Sequence, residues 1–318
     1  MCQEPRIRVR VGSTQMTAFR LTTRLTGVRR QPIGLVASAF AAVSWGFTGI
    51  FAVLAATPPL VLTFYRLCLT AALFATVLYA SGRRLTWALM RASWLGGVFL
   101  ASDIALFISA VKLTSVVDVT VIVAAQPALV LMAARRLFGE RMGRWDIFWI
   151  LLAMVGVAVA VLGPGVTSHH QLVGDLLAVG ALVSWSAYWL ASKHARAVHN
   201  AMEYTTGLTI TAAIVVTPIV LLSRESFARM QAGDWLWIAL LAIVPGTGNL
   251  VMNWAHRYVD ASVSSTINCL NPLVAAVAAV VILGQPLTVV QVGGILLALT
   301  AISVVAAQHR EPMESLTV

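Results

Sequence analysis

Apolar runs of about twenty residues, broken by charge, proline or glycine, recur ten times between residues 33 and 307. A helix needs about 20 such residues to cross the roughly 30 Å of bilayer hydrocarbon. The pattern therefore predicts membrane-spanning helices over 33–55, 59–80, 92–111, 116–134, 146–163, 173–192, 203–222, 234–254, 261–283 and 288–307. Several junctions are tight. Thr57-Pro58-Pro59 and Gly284-Gln285-Pro286-Leu287 each close one helix and open the next, since proline is disfavoured within a helix but suited to starting one. These are hairpin connections between antiparallel helices. The expected fold class is an all-α membrane protein with ten transmembrane helices.

Composition agrees with that solvent: 59% of residues are hydrophobic, only 11% are charged, and mean hydropathy is +0.86. The net charge of +10 invites a nucleic-acid reading, which its placement removes. Seven of the 22 Lys and Arg fall in the first 30 residues, and most of the others sit between apolar runs. That is how a membrane protein marks its orientation, because basic residues are retained on the cytoplasmic side. With the N-terminus inside, the inner segments collect 18 of the 22. The outer loops hold Lys112, Arg224 and Arg229, and Arg66 alone lies within a span. Both termini are thus expected in the cytoplasm of a cell with the protein in its inner or plasma membrane. Residues 1–32 read as a basic cytoplasmic tail, with Met16 offering a second start within it, and 308–318 as a C-terminal cytoplasmic tail. Cys2, Cys68 and Cys269 form no CxxC and no cluster, so they imply neither a disulfide framework nor a metal site.

The chain repeats itself. Val43-Ser44-Trp45 in the first helix returns as Val183-Ser184-Trp185 in the sixth, and Gln126-Pro127 is answered by Asn271-Pro272. Phe138-Gly139-Glu140 matches Leu283-Gly284-Gln285 at the same offset of 145 residues as the proline pair. The two units run over 33–163 and 173–307. Each holds five helices, an odd number, so the second enters the membrane from the opposite side and the repeats are inverted. Inverted repeats underlie many secondary transporters, whose binding sites lie near the midplane where the halves meet.

The first-helix pattern Ala41-Ala42-Val43-Ser44-Trp45-Gly46, the stretch Phe64-Tyr65-Arg66-Leu67, the mid-helix Pro127 and Pro272, and the turn Phe138-Gly139-Glu140-Arg141 together resemble the EamA-type permeases of the drug/metabolite transporter superfamily. The resemblance covers about residues 33–307 and implies ten helices in two inverted EamA repeats, with export of amino-acid-like or related metabolites. It also implies that helices 5 and 10 act as scaffold or as the faces of a homodimer. This chain carries Gln285 where the family usually has Glu, and the second-half counterpart of Arg66 falls near Thr205, so a symmetric charged site is not expected.

A polar group within hydrocarbon is costly, so each one should be satisfied by packing or face a watery path. Asp103 lies halfway along helix 3 with no basic residue within a turn. It reads either as a proton carrier or substrate contact, or as an aspartate bonded to serine or freed backbone. Arg66, about 10 Å from its helix end, reads as a partner for an anionic group or for Asp103, or as a snorkelling side chain. Pro127 and Pro272 each free a carbonyl four residues earlier, and Gln126 and Asn271 beside them favour a cavity. Ser264, Asn268 and Asn271 make one polar stripe on helix 9; Gly246, Asn249, Asn253 and His256 make another on helix 8, where Pro245 permits bending. Trp45, Trp185 and Tyr188 lie deep in helices 1 and 6, placed to stack on an organic substrate or simply to pack. Helices 5 and 10 carry Gly156 with Ala160 and Gly294 with Ala298, small-residue patches suited to close helix contact.

No Walker loop or HExxH motif occurs, so neither ATP driving nor a metalloenzyme is indicated, and no cofactor is expected. His169-His170 reads as a solvated pair rather than a metal site. The expected function is secondary-active transport of a small organic molecule by alternating access, with a proton-coupled cycle through Asp103 as one form of it. An intramembrane enzyme would need a second converging acid, base or ligand beside Asp103. A non-transporting scaffold would need no aqueous path along helices 8 and 9.

Overall fold

The computed structural model describes residues 32–126, 143–161, 169–227, 230–255, 267–268, 270–285 and 287–308, with residues 129, 133 and 258 besides. Both expected tails beyond these limits, the Phe138–Arg141 turn, Pro127, His256 and Ser264 lie outside the described residues. Helices are α1 (Pro32–Leu54), α2 (Pro59–Ala80), α3 (Trp87–Val111), α4 (Val116–Ala124), α5 (Arg144–Val161), α6 (His169–Val198), α7 (Ala201–Leu222), α8 (Asp234–Ala255), α9 (Leu270–Leu283) and α10 (Val289–Gln308). Six of them, α1, α2, α3, α6, α7 and α8, are long and apolar enough to cross a membrane, and shorter apolar helices run over Ile147–Gly156, Leu270–Leu283 and Val289–Ala301. Strands are absent among the described residues.

Local chemistry sets the boundaries. Pro59 opens α2 at a position where its missing N–H costs nothing. The side chains of Thr86, Ser115 and Asn200 accept the N–H groups of Leu89, Asp118 and Met202 at 3.3, 3.0 and 3.0 Å, capping α3, α4 and α7. The Thr86 cap explains why α3 begins five residues before the expected 92: Arg91 had marked the water boundary, yet a long charged side chain is easily carried on the first turns of a helix. α6 likewise keeps its polar end turns helical. α1 breaks at Phe47, and α4 tightens where the Ala125 N–H reaches back three residues to Ile122 at 3.1 Å.

α3 is the central helix, packed along α6 and α7, while α4 lies against α6 and α9. The outside is apolar: Val36, Leu222, Val281 and Val289 are among many large side chains left exposed, as lipid permits and water would not. Inside, hydroxyls such as Thr70, Thr120 and Thr211 donate to carbonyls one turn back at 2.7–2.9 Å, which satisfies them without a partner helix.

The corner between α1 and α2 is tied down from three directions. The Lys112 ammonium donates to the carbonyls of Ala55 and Thr57, both at 2.7 Å. The Asp234 carboxylate accepts the Ala56 N–H at 2.8 Å and the Thr57 hydroxyl at 2.7 Å, and Glu225 accepts the N–H groups of Leu60 and Val61. Burial lowers the affinity of Lys112 for its proton, and Asp234 and Glu225 draw it back up.

α5 and α10 pack on each other. A Cβ added at Gly156 would stand 2.5 Å from the Ala298 nitrogen and 2.8 Å from the Gly294 carbonyl oxygen. Gly156 therefore faces Gly294 and Ala298 within the chain, and any association through these helices must use outward side chains such as Leu151, Met154 and Leu296. Gly156→Val forces the two backbones apart, at a cost of about 1–3 kcal/mol. A fall of several degrees in the thermal midpoint of purified protein is the expected reading, and an unchanged midpoint refutes this packing.

Candidate functional site

A partly open cavity lies between α1, α2, α3, α4, α6, α8 and α9, with about 650 Å3 of atom-free space that includes its open mouth. Eight of the residues singled out from the sequence line it: Trp45, Arg66, Asp103, Trp185, Asn249, Asn268, Asn271 and Pro272. They arrive from six different helices, so the periodicity of no single helix brings them together.

The charged pair decides the character of this space. Arg66 and Asp103 are 5% and 8% exposed, deep within the fold, and each feels the other's charge. They nonetheless form no direct ion pair, and one guanidinium nitrogen of Arg66, Nη1, is buried without a hydrogen-bond partner. Asn268 likewise leaves its amide oxygen unpartnered. A native fold rarely leaves such groups orphaned, because each costs about 1–3 kcal/mol, more when charged. Unfilled donors and acceptors at a cavity wall fit a site built for a polar guest.

Part of the lining is aromatic. The rings of Trp45 and Trp185 meet edge to face at 5.4 Å, and Trp185 stacks on Tyr188 at 5.0 Å. The Trp45 indole N–H donates to the Pro245 carbonyl at 3.3 Å, fixing the ring to α8 near its internal proline. α1 can come this close to α9 because residue 46 is glycine: a Cβ there would lie 2.8 Å from Val274. Pro272 has no N–H to return to the carbonyl of Asn268, and both residues line the cavity.

Three sequence candidates lie near the cavity without lining it. Tyr188 backs Trp185, Gln126 is buried, and Asn253 donates to the Thr205 hydroxyl at 2.9 Å in a seam between α7 and α8. Pro127 and Ser264 fall outside the described residues. The lining also includes Thr48, Leu100, Ile104, Phe107 and Val123, which sequence reasoning did not name. A signal existed for four of them. Leu100, Ile104 and Phe107 share the helical face of Asp103, and Thr48 shares that of Trp45.

Comparison with known proteins places this architecture. Residues 32–162 and 172–307 each match the model of the EamA-like transporter family. The threonine/homoserine exporter RhtA of Salmonella typhimurium is 32% identical over 158 residues, 46% of this chain and 50% of that protein. RhtA of Escherichia coli K12 is 32% identical over 168 residues, 49% of this chain and 52% of that protein, so the alignments span about half the length of these relatives. The uncharacterized transporter YvbV of Bacillus subtilis is 29% identical over 58% of this chain and 61% of its own length. A crystal structure at 20% identity shares the fold, with a TM-score of 0.64 over 86% of this chain and 97% of the other. Two EamA units that fill nearly the whole apolar region, on a multi-pass helical fold, make this chain a member of the EamA-like transporter family.

Proposed function

We propose that the protein is a secondary-active exporter of small amino-acid-like metabolites that works by alternating access. The observation that carries this reading is the pair Arg66 and Asp103, opposite charges that share a cavity without closing on each other. A zwitterion answers both. Its carboxylate takes the free guanidinium face of Arg66, its ammonium group takes Asp103 and the Asn268 amide oxygen, and its side chain lies against Trp45 and Trp185. Threonine and homoserine, named for the RhtA relatives, have this chemistry. Asp103 is also placed to take a proton when substrate leaves, which couples export to a pH gradient.

In this reading the shorter helices complete ten spans in two inverted five-helix repeats, both termini lie in the cytoplasm, and the protein sits in the inner or plasma membrane, as the basic-residue bias supports. Gln126, Asn249, Asn253, Ser264, Asn271 and the two prolines line or support the substrate path. A homodimer forms, if at all, through the outward faces of α5 and α10.

The test is flux of a metabolite panel in sealed vesicles holding the purified protein, with and without an imposed pH gradient. Saturable movement of an amino acid, faster with the gradient, is expected. No flux across a panel rich in zwitterions overturns the proposal.

A further inference from the structure

A second group of charged side chains stands apart from the cavity, at the end of the bundle that carries the α1–α2 corner. Asp118 is in the first turn of α4, 8% exposed, and its Oδ1 is buried with no hydrogen-bond partner. Its carboxylate faces that of Asp175, near the start of α6, closely enough for the two to repel. Asp175 also has a buried, unpartnered Oδ1, and the Thr114 hydroxyl lies within hydrogen-bonding reach of its carboxylate. The close seating of α6 here is independently visible at Gly174, where an added Cβ would stand 2.8 Å from the Thr114 Cβ.

The surroundings supply polarity. Ser115 and Gln291 lie beside Asp118. The Gln291 amide oxygen is already taken by the Thr288 N–H at 3.0 Å and hydroxyl at 3.1 Å, leaving its NH2 free to face the carboxylate. Lys112 is near in sequence but is held by the Ala55 and Thr57 carbonyls. Among the described residues, no basic side chain acts on either aspartate. The site is also distinct from the cavity. Val123, which lines the cavity, is five residues further along α4 and thus about 140° round the helix from Asp118.

Two neighbouring carboxylates, each with a buried and unpartnered oxygen, together with the Thr114 hydroxyl beside them, form an all-oxygen set of the kind that hard cations take. We propose that Asp118, Asp175 and Thr114 bind such a cation, a sodium or alkaline-earth ion, pinning the start of α6 to the α3–α4 corner. The ion offsets the repulsion between the carboxylates and fills the three oxygens at once.

The test reads binding rather than flux, so it stands or falls independently of the transport reading. Thermal midpoints of the purified full chain are measured in NaCl, KCl, CaCl2 or MgCl2 against choline chloride, at fixed pH and ionic strength. One cation is expected to raise the midpoint by several degrees, saturably. Asp118→Asn abolishes that rise, while in choline this variant is at least as stable as the parent because the repulsion is gone. Thr114→Val keeps both charges and weakens the apparent affinity about tenfold, which covers the case in which Asp118→Asn fails to fold. A midpoint indifferent to all four cations overturns the proposal, as does a cation effect that survives both substitutions. Equal stabilisation by acid in every salt also overturns it, and assigns the pair a shared proton instead.

Discussion

Asp103→Asn removes the response of flux to a pH gradient. Asparagine keeps the size and most of the hydrogen bonding of the aspartate but takes up no proton, so a cycle that depends on proton uptake at this position stops, whereas one that needs only a polar contact continues. In vesicles, gradient-driven flux is expected to fall by about 100-fold, the equivalent of about 2.8 kcal/mol. Asp103→Ala gives the same loss. Asp103→Glu retains the pH response at a reduced rate, since the longer side chain carries the same group into a wall already occupied by Ile104 and Phe107. Unchanged pH-dependent flux in Asp103→Asn sinks the coupling role.

The second large effect belongs to the pair as a whole. Arg66→Leu leaves Asp103 buried without the opposite charge that shares its cavity, at a cost below the about 3–5 kcal/mol of breaking a buried pair in direct contact. A marked drop in thermal midpoint and loss of flux are both expected. Arg66→Leu combined with Asp103→Leu removes both charges, and the midpoint returns toward the parent value because no unpaired charge remains. Flux does not return. A double variant that regains stability and also transports shows that the pair is structural only.

Much of the architecture was legible because lipid imposes a simple rule on length and polarity. The spans 59–80, 203–222 and 234–254 agree with helices Pro59–Ala80, Ala201–Leu222 and Asp234–Ala255 to within two residues. Boundaries were lost where charged or polar turns remain helical, as before Arg91. Single cavity residues were legible from the cost of burying them: Arg66, Asp103 and the two asparagines of helix 9 stood out against apolar neighbours. The meeting of Arg66 with Asp103 was legible only as one reading among three, because the two sit on different helices and periodicity reports a face, never what it faces. The same limit hid the mutual contact of Gly156 and Gly294, which read equally well as a surface for a second subunit. Asp118 and Asp175 drew no notice at all. Each lies at a helix end, where an acid is ordinary, and only their juxtaposition makes them unusual.

The bond from the Trp45 indole to the Pro245 carbonyl links two parts of the molecule 200 residues apart. Pro245 sits inside α8 and removes one rung of its hydrogen-bond ladder, so this is where the helix yields most easily. Any change of bend there moves the carbonyl, and the carbonyl holds the ring that forms one side of the cavity. The tryptophan thus acts as the end of a lever whose fulcrum is the proline. In the proposed transport cycle, a guest that pushes on the ring would push on the helix, and a helix that bends would reshape the space the guest occupies.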